Sequence, residues 1–157
     1  RRQRQMCIRD RCRSLRRPTS ESPAVLVVDS SVWIDFFNDA DHPAVGLLSL
    51  MLDRGEVRIV VPDLVLYEVL RGFRHEADYR AAKRMMESLH VEDTASAALA
   101  LAAAGHYRSL RAQGLTVRSS IDVLVAAFCI EHDYALLHRD RDYVAFEQLR
   151  GLRGWRH

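Results

Sequence analysis

Five acidic residues stand where carboxylates can do chemistry: Asp29, Glu68, Asp122, Asp140 and Asp142. Asp29 halts the apolar run in VLVVDSSVWIDFF, and Glu68 lies in PDLVLYEVLRG among Leu64, Val65 and Val69. Asp122 falls in RSSIDVLVAAFCI, in the first turn of an otherwise apolar helix, where the helix dipole favours a carboxylate. Asp140 and Asp142 follow YALLH in the segment HRDRDY. Taken singly, Asp29, Asp122 and Asp142 read as helix caps or first-turn acids. Glu68 does not, because an acid amid leucine and valine in mid-helix gains nothing from capping.

Taken together they point to a bound cation. Two like charges 4 Å apart repel by roughly 1 kcal/mol in water and about 4 kcal/mol at an effective dielectric near 20. A chain that gathers carboxylates needs a counter-charge. Oxygen ligands select hard ions, Mg²⁺ or Mn²⁺, over zinc, and no His/Cys set supports zinc. Such a site hydrolyses phosphodiesters without a covalent nucleophile. His138 stands near the late acids and is a minor candidate for ligand or proton carrier. Ser31, two residues after Asp29, can hydrogen-bond an acid or a phosphate, or cap a helix. Arg71, Arg74, Arg118, Arg139 and Arg141 fall close to the acidic segments, where they can form a basic rim for nucleic-acid phosphates or a solvated face.

The elements that must position these groups alternate. Strands are expected at Ala24–Val28, Arg58–Val61, His90–Glu92 and Tyr134–Leu137, with an edge strand within Leu152–Trp155. Helices are expected after Ser30 or Ser31 through Phe37, from Pro43 to near Gly55, from Pro62 in its first turn to Gly72, and over Tyr79–Leu89. Others follow over Ala95–Ala112, from Ser119 or Ser120 to about His132, and over Asp142–Leu149. This alternation argues for an α/β fold with a mainly parallel sheet. In such sheets ligands bind at the carboxyl ends of the strands, where these acids stand.

Composition narrows the classes. The 157 residues suit one domain, and 48% apolar content is ordinary for a globular protein. No apolar run reaches the roughly 18 residues of a membrane span. Cys7, Cys12 and Cys129 form no disulfide or metal pattern, which fits a reducing cytoplasm. The net charge of +2 hides two unlike parts. Residues 1–23 carry eight arginines against Asp10 and Glu21, whereas residues 24–157 carry fifteen basic and nineteen acidic side chains. The folded part is mildly acidic and does not hold polyanions by bulk charge. Residues 1–23 read as a disordered basic extension, and MCIRDR within them matches one frame of a common sequencing adapter, so this segment need not be native. Residues 24–157 read as the domain.

VVDSSVWIDFF, YEVLRG and SSIDVLVAAFCIEHDYALLHRDRDY, in that order and spacing, resemble the PIN-domain family, and within it the VapC toxins of toxin–antitoxin pairs. The resemblance runs from about Val25 to Gly154. It implies a three-layer α/β/α sandwich and a Mg²⁺-dependent endoribonuclease, with Mn²⁺ a possible substitute. It also implies a structured RNA substrate of the tRNA or rRNA class, a small antitoxin partner and a homodimer. The dimer is expected through the helices after Pro62 and around Tyr79–Leu89. The implied acidic quartet is Asp29, Glu68, Asp122 and Asp140. Asp29 and Asp122 would hold the principal ion, and Asp140 would complete its shell or serve a second ion. Glu68 would act through water, with Asp142 as an auxiliary acid. The family commonly has Thr or Ser two residues before the fourth acid; this chain has His138. Two rivals share the fold: a PIN nuclease of RNA processing and a catalytically silent binding module. A receiver domain would want a lysine at a late strand end, and the one lysine, Lys83, is placed in a helix.

Overall fold

The computed structural model describes residues 25–156. The reading of residues 1–23 lies outside them. Five strands form one sheet: β1 (Val25–Val28), β2 (Arg58–Pro62), β3 (His90–Glu92), β4 (Ala135–Leu137) and β5 (Arg153–Gly154). Their spatial order is β3-β2-β1-β4-β5, and every neighbouring pair is parallel. The helices among the described residues are α1 (Ser30–Phe37), α2 (Pro43–Arg54), α3 (Asp63–Leu70), α4 (Glu76–Glu87), α5 (Ala97–Ala112), α6 (Ser120–Glu131) and α7 (Asp142–Arg150).

Chain order dictates the layers. From β1 the chain steps outward through β2 to β3; from β4 it steps the other way to β5. Crossovers between parallel strands are right-handed. A reversal of direction therefore sends α1–α4 to one face of the sheet and α5–α7 to the other. The packing agrees: α1 meets α2 and α3, α3 meets α4, and α5 meets α6 and α7. The result is the three-layer α/β/α sandwich expected from the sequence.

With both faces covered, the inner strands must be apolar throughout. Leu26, Val27, Val28, Val60, Val61, Leu136 and Leu137 are all fully excluded from solvent. Each such side chain contributes about 1.5–3 kcal/mol by leaving water. Trp33, Phe128, Tyr143 and Phe146 bring the helices onto this sheet, also without exposure.

Several boundaries differ from expectation. Pro62 ends β2, in register with Glu92, and precedes α3 rather than standing in its first turn. α3 stops at Leu70, with Arg71 as its C-cap, before reaching Gly72. α4 starts at Glu76, earlier than Tyr79, and stops at Glu87, short of Leu89. Glu76 and Asp78 occupy its first turn, where they favour a helix start. α2 ends where Gly55 takes a left-handed φ of 63°, which costs glycine nothing.

Candidate acidic site

β1 and β4 are neighbours, and the chain leaves them toward opposite faces. Such a switch point opens a crevice at the carboxyl ends of the strands. Asp29 forms one lip, immediately after β1. The turn from His138 to Arg141, after β4, forms the other. The ladder runs one residue past the strands here, since Asp29 N donates to Leu137 O at 2.9 Å. α1 and α3 start at this edge, each following its strand. α6 runs back toward the start of β4, so its first turn lies at the same edge.

Asp29 is 4% exposed, so its carboxylate needs partners. Oδ2 accepts from Ser31 N at 3.1 Å and from the Ser31 hydroxyl. Oδ1 accepts from the Tyr143 hydroxyl at 2.8 Å. Asp29 is thus the N-cap of α1, as one reading of the sequence had it, and Ser30 and Ser31, the other candidates, lie inside the helix. Capping does not exhaust it, because Oδ1, which takes the Tyr143 hydroxyl alone, keeps a free lone pair. Ser30 is committed elsewhere: its hydroxyl donates to Glu68 Oε2 at 2.8 Å, tying α1 to α3.

Asp122 sits in the first turn of α6, which Ser119 caps through a 3.2 Å bond from Asp122 N. Its carboxyl is pushed up to about 6 from an ordinary 3.8. Burial is the first cause; the charges of Asp29, Asp140 and Glu68 push the same way, against a hydrogen bond with Ser119. Three acids from three other segments therefore act electrostatically on Asp122. Asp140 is exposed, and its Oδ1 accepts from Asp142 N at 2.9 Å. Asp142 in turn accepts from Arg118 N at 3.0 Å, which ties the segment before α6 to α7.

The arginines divide. Arg71 is exposed and lies over the Tyr67 ring at 5.6 Å. Arg118 and Arg141 are exposed beside the acids. Arg139 is ion-paired with Asp35 of α1, across the crevice. Arg74 lines a separate cleft of about 700 Å³ bounded by Phe36, Phe37, Phe73 and Met85. His138 bonds Glu147 and the Asp140 backbone rather than an acid of the quartet.

Two residues escaped sequence reasoning, Tyr143 and Ser30. Tyr143 reads as one more apolar position of a short helix, and its partner is 114 residues away. Ser30 is masked by its place at a helix start, which suggests a cap.

As they lie, these side chains form no closed ligand shell: among the described residues no three His, Cys, Asp or Glu groups are close enough to hold an ion. Their chemistry fits one all the same. The donors are carboxylate oxygens only, the set for a hard divalent cation. Asp122 is raised by three like neighbours, a repulsion that a cation would relieve.

Comparison with known proteins identifies the family. The PIN domain profile matches residues 26–151. The curated VapC ribonuclease Mb1587 of Mycobacterium bovis is 29% identical over 128 residues, covering 82% of this chain and 96% of that protein. Among solved structures, VapBC2 from Rickettsia felis, bound to a DNA fragment from its promoter, superposes with a TM-score of 0.66 at 18% identity, over 84% of this chain and 99% of that one. VapBC-5 from Mycobacterium tuberculosis, of the VapBC family of toxin–antitoxin systems, gives 0.60 at 19% identity, over 86% and 100%. The structures share the fold, and the profile spans β1 to the end of α7 with all four acids inside it, so the chain belongs to the PIN-domain family.

Proposed function

We propose that this protein is a divalent-metal-dependent endoribonuclease of the VapC kind, the toxin of a toxin–antitoxin pair. The observation that carries the reading is the state of Asp122, raised to about 6 by burial and by Asp29, Asp140 and Glu68 together. The names of the similar proteins support it: one is a VapC ribonuclease, and another belongs to a toxin–antitoxin family.

In this reading Asp29, Asp122 and Asp140 hold the ion, Mg²⁺ with Mn²⁺ as a substitute. A bound divalent cation supplies phosphate charge neutralisation and an activated water for in-line hydrolysis. Glu68, held by Ser30, orients the attacking water and accepts its proton. Tyr143 and Ser31 hold the Asp29 carboxylate in place beside the crevice, since both donate to its oxygens. Arg71, Arg118 and Arg141 take the phosphates flanking the cut; Arg139 joins them by leaving Asp35. Asp142 acts through its bond to Arg118 N. The substrate is a structured RNA of the tRNA or rRNA class, read at a single-stranded loop.

The antitoxin would seat an apolar segment in the cleft between α1, α2 and α4, whose wall includes Phe36, Phe37, Phe73 and Met85. A homodimer through α3 and α4 completes the reading. The test is expression in a bacterial host. Growth should stop with the intact chain, continue with Asp29→Asn, and recover on co-expression of the adjoining small gene. Growth unaffected by the intact chain would count against the toxin reading.

A further inference from the structure

His138 lies between β4 and Asp140 with its side chain 10% exposed, and both of its ring nitrogens are engaged. Nδ1 is 3.0 Å from the Asp140 carbonyl oxygen; that oxygen can only accept, so Nδ1 donates. Nε2 is 2.9 Å from Glu147 Oε1 on α7. The ring lies 4.8 Å from that of Tyr143, which holds Asp29. One imidazole thus touches the backbone of one acid and the side chain that grips another.

Glu147 reaches His138 only because β5 leaves room. A Cβ on Gly154 would stand 1.7 Å from Glu147 Oε1. β5 is itself fixed beside β4, with Leu136 opposite Gly154 and Trp155 N donating to Leu136 O at 2.7 Å. The carboxylate therefore occupies the space a side chain would fill.

We infer that His138, clamped by Glu147 over Gly154, is a positioning residue that sets Asp140 in its place in the acid cluster. This rests on the reading of Asp140 as part of the ion-holding set. Asp140 is exposed, and its carboxylate has one anchor in its own loop, the Asp142 amide. The His138 clamp gives the backbone that carries it a second. Losses at residues that orient a metal ligand run to about 10–100-fold in affinity or activity.

The test is calorimetric binding of Mn²⁺ alone to the full chain, together with the rate of cutting total cellular RNA at rising Mn²⁺. His138→Ala is expected to weaken Mn²⁺ binding about 10-fold, with cutting recovered at high Mn²⁺. His138→Asn, which keeps a donor where Nδ1 was but loses the Glu147 contact, is expected to weaken binding as Glu147→Ala does and less than His138→Ala. Gly154→Ala replaces neither His138 nor Glu147 but crowds the Glu147 carboxylate out, and should weaken binding as Glu147→Ala does. The two changes combined should cost no more than one, since they remove the same contact. Unaltered binding in His138→Ala, or additive losses from Glu147→Ala and Gly154→Ala, would overturn the positioning role alone. Failure of the unaltered chain to bind Mn²⁺ would overturn the metallonuclease reading and this inference with it.

Discussion

The Tyr143 hydroxyl donates to Asp29 Oδ1 at 2.8 Å, joining α7 to the end of β1 across 114 residues. Neither group meets much solvent: Tyr143 is fully buried and Asp29 is 4% exposed. The phenol is held well above its ordinary value, first by burial and then by the Asp29 charge, so it stays a donor. Tyr143→Phe leaves a buried carboxylate one bond short. A hydrogen bond to a charged group contributes about 1.5–3 kcal/mol, and we expect a loss of stability of that order in urea unfolding, along with weaker Mg²⁺ binding. Unfolding curves that coincide would mean that water replaces the hydroxyl at no cost.

Asp122 gives a pH dependence of definite sign. Its carboxyl is raised in the fold, so its contribution to stability is full below about 4 and is lost as pH rises through about 6. In EDTA the melting temperature of the unaltered chain, relative to Asp122→Asn, should therefore fall between pH 4 and pH 7. The variant should also melt higher than the unaltered chain at pH 7 and cut no RNA, the usual exchange of stability for function at a charged site. A relative melting temperature that rises with pH would contradict the repulsion.

His106 predicts the opposite slope. It is 7% exposed, and its Nδ1 accepts from Arg150 Nε at 2.9 Å, so protonating that nitrogen breaks the bond. Burial and then the Arg150 charge hold it below 6.5, against the pull of Glu131. Its contribution is present above pH 6.5 and lost as pH falls through its lowered value. His106→Asn keeps an acceptor for Arg150 where Nδ1 was and cannot take a proton. The unaltered chain should lose melting temperature below pH 6.5 relative to this variant; parallel curves would show that the buried pair does not titrate.

The cleft proposed for the antitoxin can be tested without touching the acids. Ala81 lines it and is exposed on α4. Ala81→Glu places a charge there without disturbing the core. Co-purification with the antitoxin should drop by about 10-fold or more, in line with burying an unpaired charge at an interface, while RNA cutting by the isolated chain stays the same. Undiminished co-purification would move the antitoxin to another surface.

Much of this was legible in the sequence because parallel strands covered on both faces must be apolar. VLVV, RIVV and ALL each appear as strands for that reason. Asp29 was read as either cap or site acid, and in the structure it caps α1 while its other oxygen points to Tyr143. What local pattern could not supply was pairing between distant segments. Tyr143 with Asp29, Ser30 with Glu68, and Arg139 with Asp35 depend on which strands end side by side. Pro62 was misplaced because proline suits a helix's first turn and a strand's end equally well, and the pairing of β2 with β3 decides between them.

The central claim is that Asp29, Glu68, Asp122 and Asp140 together make a metal-dependent nuclease site. The most direct measurement is the cutting of total cellular RNA by the purified chain with Mg²⁺, with EDTA, and with Asp29→Asn. The account predicts discrete products with Mg²⁺, none with EDTA, and none from the variant. Discrete cutting that survives both EDTA and Asp29→Asn would contradict it.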